Sequence, residues 1–136
     1  MPAMVLLAAY LSIDGNDLSK HTKKAEVSIE VEEKDVTTFR SQGWKELLGG
    51  LKSGELSADF IQDFAPLELD AIMWPMLGRV VPFEVRADEG PAGPSNPAYT
   101  GNVLIKGWQP ITGSVGDEAT ASQSWPTSGA VTRAVA

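Results

Sequence analysis

Two stretches of the chain alternate between apolar and polar residues, which is the pattern of a β-strand with one buried face. In the first stretch, Lys24 to Glu32, one face is aliphatic: Ala25, Val27, Ile29 and Val31. Its other face is mostly acidic: Lys24, Glu26, Ser28, Glu30 and Glu32. In the second stretch, Glu55 to Phe64, the apolar face holds Leu56, Ala58, Phe60 and Phe64, and the polar face holds Ser57, Asp59 and Asp63. The pattern alone favours solvated outer faces for these carboxylates.

Shorter patterns predict five further strands: 5–13, 79–86, 99–108, 119–125 and 130–135. Because segment 5–13 is an almost unbroken apolar run, we expect a strand that is buried on both faces. Pro82 cannot donate to a sheet ladder, so it indicates an edge or a bulge. Seven short strands predict a mainly β fold, a sandwich or a barrel.

One helix is predicted between Pro66 and Gly78. Its apolar residues follow the spacing of a single buried stripe: Leu69, Ile72, Met73 and Met76. A proline inside a helix costs about 3 kcal/mol or more, so Pro75 should end the regular helix near Met73. Gly78 stands where a helix cap is expected.

Between the two alternating strands, at about 33–53, lie some twenty residues with little pattern of their own. A loop of that length inside a compact domain is usually functional. Its large apolar residues include Phe39, Trp44, Leu47 and Leu48. One interpretation is that Trp44, Leu47 and Leu48 cover the core of their own subunit.

Composition narrows the classes of function. The chain has 136 residues, which predicts one domain at 1–136, and a formal net charge of −7. That charge argues against an electrostatic grip on nucleic acid, which requires clustered Lys and Arg. Without cysteine there is neither a disulfide framework nor a thiolate metal site. The apolar run 4–11 lacks the basic start of a secretory signal and is too short to span a bilayer, so we expect no membrane association.

The search for chemistry gives no catalytic, cofactor or metal site. The single histidine, His21, lies in a charged turn and is expected to be solvated. Asp59 and Asp63 are about 13 Å apart along a strand, too far for a retaining glycosidase pair. Residues Asp14 and Asp17 resemble a calcium loop only weakly, because the distal Glu is not in place. We therefore expect a structural or binding protein.

Four blocks in chain order resemble the major tail tube protein of long-tailed, siphovirus-type bacteriophages, particularly those of actinobacterial hosts. The first block is 12–19 followed by the acidic strand 26–33. The second combines 35–39, 44–46 and 50–54, and the third combines 83–86 with 96–101. The fourth comprises 115–120, 125–126 and 129–134. Together the blocks run along nearly the whole chain.

The resemblance implies a β-sandwich or half-barrel flanked by one α-helix, in subunits that form hexameric rings. Such rings stack into a hollow tube, assembled in host cytoplasm, whose lumen passes genomic DNA without specific binding. Tape measure, terminator and baseplate proteins would be its partners in the virion. The resemblance also implies that five carboxylates face the lumen: Glu26, Glu30, Glu32, Asp59 and Asp63. The loop at 33–53 would contact neighbouring subunits, with Phe39, Trp44, Leu47 and Leu48 as its anchors.

Three alternatives stay open. A closed β-barrel that binds a small ligand would hold its pocket among the Trp and Met residues. A glycan-active enzyme would use Glu30, Asp59 or Asp63, with a raised pKa in a cleft. A related tail component, either a tail terminator or a baseplate hub, would form a ring without repetition along the tail.

Overall fold

Two antiparallel sheets pack face to face in the computed structural model, which describes residues 3–135. In chain order the elements are β1 (Tyr10–Ile13), β2 (Asn16–Asp17), β3 (Thr22–Asp35), β4 (Leu47–Ile61), α1 (Leu69–Met73), β5 (Val80–Arg86), β6 (Ala98–Leu104), β7 (Thr120–Pro126) and β8 (Thr132–Ala134). One sheet has the order β2-β1-β5-β6-β8 and the other has the order β3-β4-β7. The predicted fold class, a mainly β sandwich with one helix, is confirmed.

The described strands number eight rather than seven, and two of them are long. β3 has 14 residues and β4 has 15, so the prediction of uniformly short strands is wrong. The extra strand, β2, forms because Asp14 and Gly15 make a two-residue turn with positive φ at both positions (54° and 78°). That turn folds the chain back so that Ile13 pairs with Asn16.

The core lies between the sheets and under α1. β4 contributes the fully buried Leu56 and Phe60, and β7 contributes the fully buried Trp125. The Phe60 ring lies 6.1 Å from that of Trp108 and 6.4 Å from that of Trp125, in tilted arrangements. Each indole N–H is satisfied: Trp125 Nε1 donates to the Gly107 carbonyl at 2.9 Å, and Trp108 Nε1 donates to Asp70 Oδ1 at 3.0 Å.

The first predicted strand is mostly wrong. Only its last four residues, Tyr10–Ile13, form β1. The preceding apolar residues are exposed rather than buried: Met4 by 61%, Val5 by 75%, Leu6 by 61% and Leu7 by 88%. An apolar run indicates that a segment will be buried against something, but it does not show whether that surface belongs to the same chain or to another one.

Pro82 lies inside the five-stranded sheet, not on an edge strand. β5 pairs with β1 on one side and with β6 on the other. The pairing of β1 ends where Ile13 meets Phe83, and the Pro82 carbonyl accepts the Asp14 N–H at 2.7 Å as the chain turns away. The missing N–H of Pro82 therefore points past the end of β1, where no ladder partner stands.

The helix ends as predicted and begins later than predicted. α1 stops at Met73, and a 3₁₀ turn over Trp74–Met76 carries Pro75. Gly78 follows with a φ of 87°, as expected of a terminating glycine. α1 starts at Leu69 rather than at Pro66, because Leu67 has a φ of 65°, which a right-handed helix cannot include. Within residues 3–135, no helix is both long and apolar enough to cross a bilayer.

Candidate functional site

The outward face of the three-stranded sheet is polar and acidic. On β3, Glu26 stands opposite Ser57 and Glu30 stands opposite Ser53 of β4. Asp59 of β4 stands opposite Lys24 on one side and Ser122 of β7 on the other. Directly opposite residues project from the same face of a sheet, so these side chains share one surface. Glu32 and Lys34 continue it and form an ion pair.

Glu55 also belongs to this acidic face. It is exposed and stands opposite Ser28. Its place on this face could have been predicted from the sequence, because Glu55, Ser57 and Asp59 follow one another at intervals of two residues along β4. We call the surface formed by Lys24, Glu26, Ser28, Glu30, Glu32, Lys34, Ser53, Glu55, Ser57, Asp59, Ser122 and Ser124 the acidic face. It carries five carboxylates and two lysines.

Asp63 is not part of the acidic face. β4 ends at Ile61, so the alternation that linked Asp63 to Asp59 stops before it. The Asp63 Oδ1 atom accepts the Ala65 N–H at 2.9 Å and shapes the turn into α1. Phe64, which was expected on the buried face of the same strand, is 57% exposed. The prediction failed because it carried the alternation past Ile61 and Gln62, where the sequence pattern breaks and β4 ends.

The predicted loop at 33–53 is largely strand. β3 runs to Asp35 and β4 begins at Leu47, so the connecting tip is 36–46. The ladder continues through a bulge: Val31 pairs with Lys52 and Glu33 pairs with Gly49. β4 therefore has an extra residue where β3 has only Glu32. We call residues 29–53 the hairpin arm, because both faces of this part of the β3–β4 hairpin are largely open to solvent.

The tip of the arm is held by its own hydrogen bonds. A 3₁₀ turn over Phe39–Ser41 is capped by Thr38, whose hydroxyl accepts the Arg40 N–H at 3.2 Å. Ser41 Oγ donates to Glu46 Oε2 at 2.7 Å, so the two sides of the tip are joined. Hydrogen bonds from the Thr37 hydroxyl and backbone N–H also hold the pKa of Asp35 below its ordinary value. The tip therefore presents its side chains from a defined backbone.

The apolar side chains of the tip point into solvent. Phe39 is fully exposed, Trp44 is 78% exposed, and Leu47 and Leu48 are 51% and 62% exposed. The interpretation that Trp44, Leu47 and Leu48 cover the core of their own subunit is therefore wrong. Leu51 at the bulge, 80% exposed, extends the same apolar surface and was not among the predicted anchors.

His21 is buried, which contradicts the expectation of a solvated turn residue. Its side chain is 8% exposed, and its Nε2 atom lies 2.9 Å from Glu68 Oε2. Lys20 Nζ lies 2.9 Å from the same oxygen. Hydrogen bonds from Lys20 and then His21 lower the pKa of the Glu68 carboxyl, and the bond to Glu68 raises the pKa of Lys20. Nothing near His21 in the sequence indicates a partner 47 residues away.

The same corner brings His21, Asp63 and Glu68 together, with one ligand-type atom of each within 4.8 Å of the others. The Lys20 ammonium already provides a positive charge beside Glu68. We therefore interpret the cluster as an ion-pair network that fastens the start of α1 to the turn after β2.

A groove of about 410 Å³ opens between the two sheets beside the hairpin arm, lined by residues that include Leu6, Val27, Val85 and Tyr99. Among residues 3–135, no tryptophan or methionine lines this groove. The small-ligand alternative had placed its pocket among those residue types, but Trp125, Met73 and Met76 are packed in the core.

No protein-family model matches this chain. No curated protein matches it either. Solved structures that share its fold include two chains from gene transfer agent particles. One is a chain of the virion of a native gene transfer agent particle, with a TM-score of 0.77, 23% identity, and coverage of 96% of this chain and 98% of that chain. The other is a chain from the tail of an empty gene transfer agent particle, solved with helical refinement and C6 symmetry, with a TM-score of 0.70, 25% identity, and coverage of 93% of each chain.

The likeness therefore extends over nearly the whole of each chain. The fold of this protein is that of chains found in gene transfer agent virions and tails.

Proposed function

We propose that this protein is a structural, non-enzymatic subunit of a phage-like tail, and that it polymerises as stacked hexameric rings around a lumen that passes DNA. The observation that carries the proposal is the three-stranded sheet, which has two unpaired edges and one acidic face. The likeness to a chain of a C6-symmetric tail supports the sixfold ring. The four sequence blocks support the finer assignment to a siphovirus-type tail of an actinobacterial host.

The two edges explain how a ring would close. β3 and β7 each pair with β4 alone, so each leaves one row of backbone N–H and C=O groups without a strand partner. Exposed edges invite pairing with another chain. If β3 of one subunit pairs with β7 of the next, the sheets join into one barrel, and a closed barrel has no edges left.

The acidic face would then line the lumen. Its five carboxylates outnumber its two lysines, and each ring would repeat the set six times. A wall of that charge repels phosphate, so DNA slides through instead of binding. The lumen residues that we propose are Glu26, Glu30, Glu32, Glu55 and Asp59.

The hairpin arm would contact a neighbouring subunit. Its apolar tip has no cover within its own subunit, and large aromatic side chains provide a disproportionate share of interface energy. Phe39, Trp44, Leu47 and Leu48 are the residues that we assign to this contact. The tape measure, terminator and baseplate proteins would contact the tube at its lumen and at its ends.

The test is negative-stain electron microscopy of the purified chain over a concentration series. We expect hollow filaments of uniform width, with six subunits in end view. Single rings that never stack would favour a tail terminator or a baseplate hub. Monodisperse monomers at every concentration, with and without preformed tail ends as initiators, would overturn the proposal.

A further inference from the structure

The outer face of the helical segment is the most unusual apolar surface of the described chain. Between Phe64 and Gly78, only Glu68 and Asp70 are charged. The inner stripe of α1 and the following turn is buried: Leu69, Met73 and Met76. A surface helix normally carries polar residues on its opposite side.

In this segment the opposite side is apolar as well. Trp74 is 61% exposed and Leu77 is 43% exposed, and Ala71 and Pro75 between them are also exposed. Phe64 and Leu67, 57% and 87% exposed, extend the surface toward β4. Neighbouring exposed apolar side chains on a protein surface mark an interaction site when they form a contiguous patch. We call Phe64, Leu67, Ala71, Trp74, Pro75 and Leu77 the helix patch.

The backbone also projects one of these side chains outward. Leu67 has a φ of 65°, in the left-handed region that costs a non-glycine residue about 1–2 kcal/mol. A strained, bulky, exposed residue suggests that its position serves a function. The Leu67 side chain makes few contacts within its own subunit, so packing there does not compensate for the backbone strain.

We propose that the helix patch receives the hairpin tip of a second copy of this chain. This inference rests on the proposed function, in which the hairpin arm contacts a neighbouring subunit, and it identifies the surface of that neighbour that the arm contacts. The tip and the patch lie at opposite ends of β4, which at about 3.3 Å per residue spans roughly 45 Å. A contact between two different surfaces of one subunit is a head-to-tail contact, and it builds a filament when its rotation does not close into a ring.

Charge favours the tip over the other apolar candidate. The tip carries the exposed cations Arg40 and Lys45, its one acid Glu46 accepts the Ser41 hydroxyl, and Lys45 lies 4.0 Å from Glu33 of its own subunit. The segment that carries the patch contains the partly exposed Asp63 and Asp70 beside the patch residues in sequence. The exposed N-terminal segment Met4–Leu7 has no charged residue to match those acids. Opposite charges around an apolar contact fix its register and suppress other partners.

The direct test uses photocrosslinking in the assembled full chain. Phe39 is fully exposed, so Phe39→p-benzoyl-phenylalanine keeps an aromatic ring and does not disturb the subunit. After irradiation and trypsin digestion, the tip peptide Asp35–Arg40 should be joined to Ser53–Arg79 of another copy, within 64–77. The adduct should form above the assembly threshold and be absent below it.

Other outcomes separate the two proposals. Filaments whose adducts map to the N-terminal peptide ending at Lys20, or to a second tip, would overturn this inference and leave the proposed function standing. A chain that forms no filaments, even without the substitution, would overturn both.

A second measurement does not depend on the photoreactive residue. Trp74→Ala should raise the critical concentration for assembly at least tenfold without changing the melting temperature of the subunit. The matched control is Ile111→Ala, which removes another exposed apolar side chain outside the helix patch and should leave assembly unchanged. Equal critical concentrations for the two variants would contradict the proposal.

Discussion

Trp44 at the hairpin tip offers the most direct separation of folding from assembly. The side chain is 78% exposed in the subunit, so Trp44→Ala removes few contacts there. Substitutions at such sites usually change stability by less than about 0.5 kcal/mol. For a domain of this size, the melting temperature should move by less than about 2 °C.

In an assembled tube the Trp44 side chain would be buried against a neighbouring subunit. A tryptophan buries about 200 Å², and at about 25 cal/mol per Å² the exposed fraction corresponds to about 4 kcal/mol. Interface aromatics typically cost about 2–4 kcal/mol when truncated to alanine. At about 1.4 kcal/mol per tenfold change, the critical concentration should rise roughly 30- to 700-fold.

The assay measures two quantities on the same preparations. Differential scanning fluorimetry below the assembly threshold gives the stability of the subunit, and pelleting with electron microscopy gives the critical concentration. Ile111→Ala, at a position that is also 78% exposed, is the matched control and should change neither quantity. A Trp44→Ala subunit that melts several degrees lower, or that assembles at the wild-type concentration, would refute the reasoning.

Three further predictions concern the lumen, the helix corner and the strained leucine. Glu26→Lys, Glu30→Lys and Asp59→Lys together should leave tubes intact but make them retain double-stranded DNA in low salt; tubes that pass or ignore DNA as the wild type does would count against a lumen role. The pKa of Glu68 is lowered in the folded state. The Glu68 carboxylate therefore stabilises the fold at pH values above the ordinary pKa of a glutamate, and this contribution is lost as the pH falls through the pKa of Glu68 in the folded protein. Glu68→Gln should therefore melt below wild type at pH 7, and the difference should vanish in acid as the Glu68 carboxylate becomes protonated; a difference that is independent of pH would contradict this. Leu67→Gly should stabilise the free subunit by about 0.5–1 kcal/mol in denaturant unfolding, since relief of the positive φ exceeds the entropy cost of glycine, yet weaken assembly; a subunit that loses stability would show that Leu67 packs within its own chain.

The strands with one buried face could be predicted from the sequence, because burial imprints a period of two. Leu56, Ala58 and Phe60 alternate with Ser57 and Asp59, and the structure confirms that they form a strand. The end of the helix could also be predicted, because a proline inside a helix has a definite physical cost. In each case one local cause determines the result.

The hairpin arm could not be predicted, because neither of its faces is buried within the subunit. Beyond Ile29 the alternating aliphatic side chains of β3 no longer pack against the core. The bulge opposite Glu32 also changes which residues of β3 and β4 stand opposite each other. The prediction of a buried N-terminal strand failed for a related reason, because Met4, Val5, Leu6 and Leu7 are each more than half exposed among the described residues. The corner of His21 and Glu68 was missed because contacts between distant residues leave no local pattern.

β4 is one continuous strand with two very different environments. From Leu56 to Phe60 its apolar side chains are fully buried, while from Leu47 to Ser53 both faces are largely open. Local opening is easiest where few side chains pack, so amide hydrogen exchange in a free subunit should become steadily faster along this single strand from Phe60 toward Leu47. Contact with a neighbour would then suppress the opening of the outer half, which folding alone leaves less protected. Each addition to a growing end would carry the entropic cost of suppressing that opening, which slows the spontaneous start of a filament more than its extension from a finished ring.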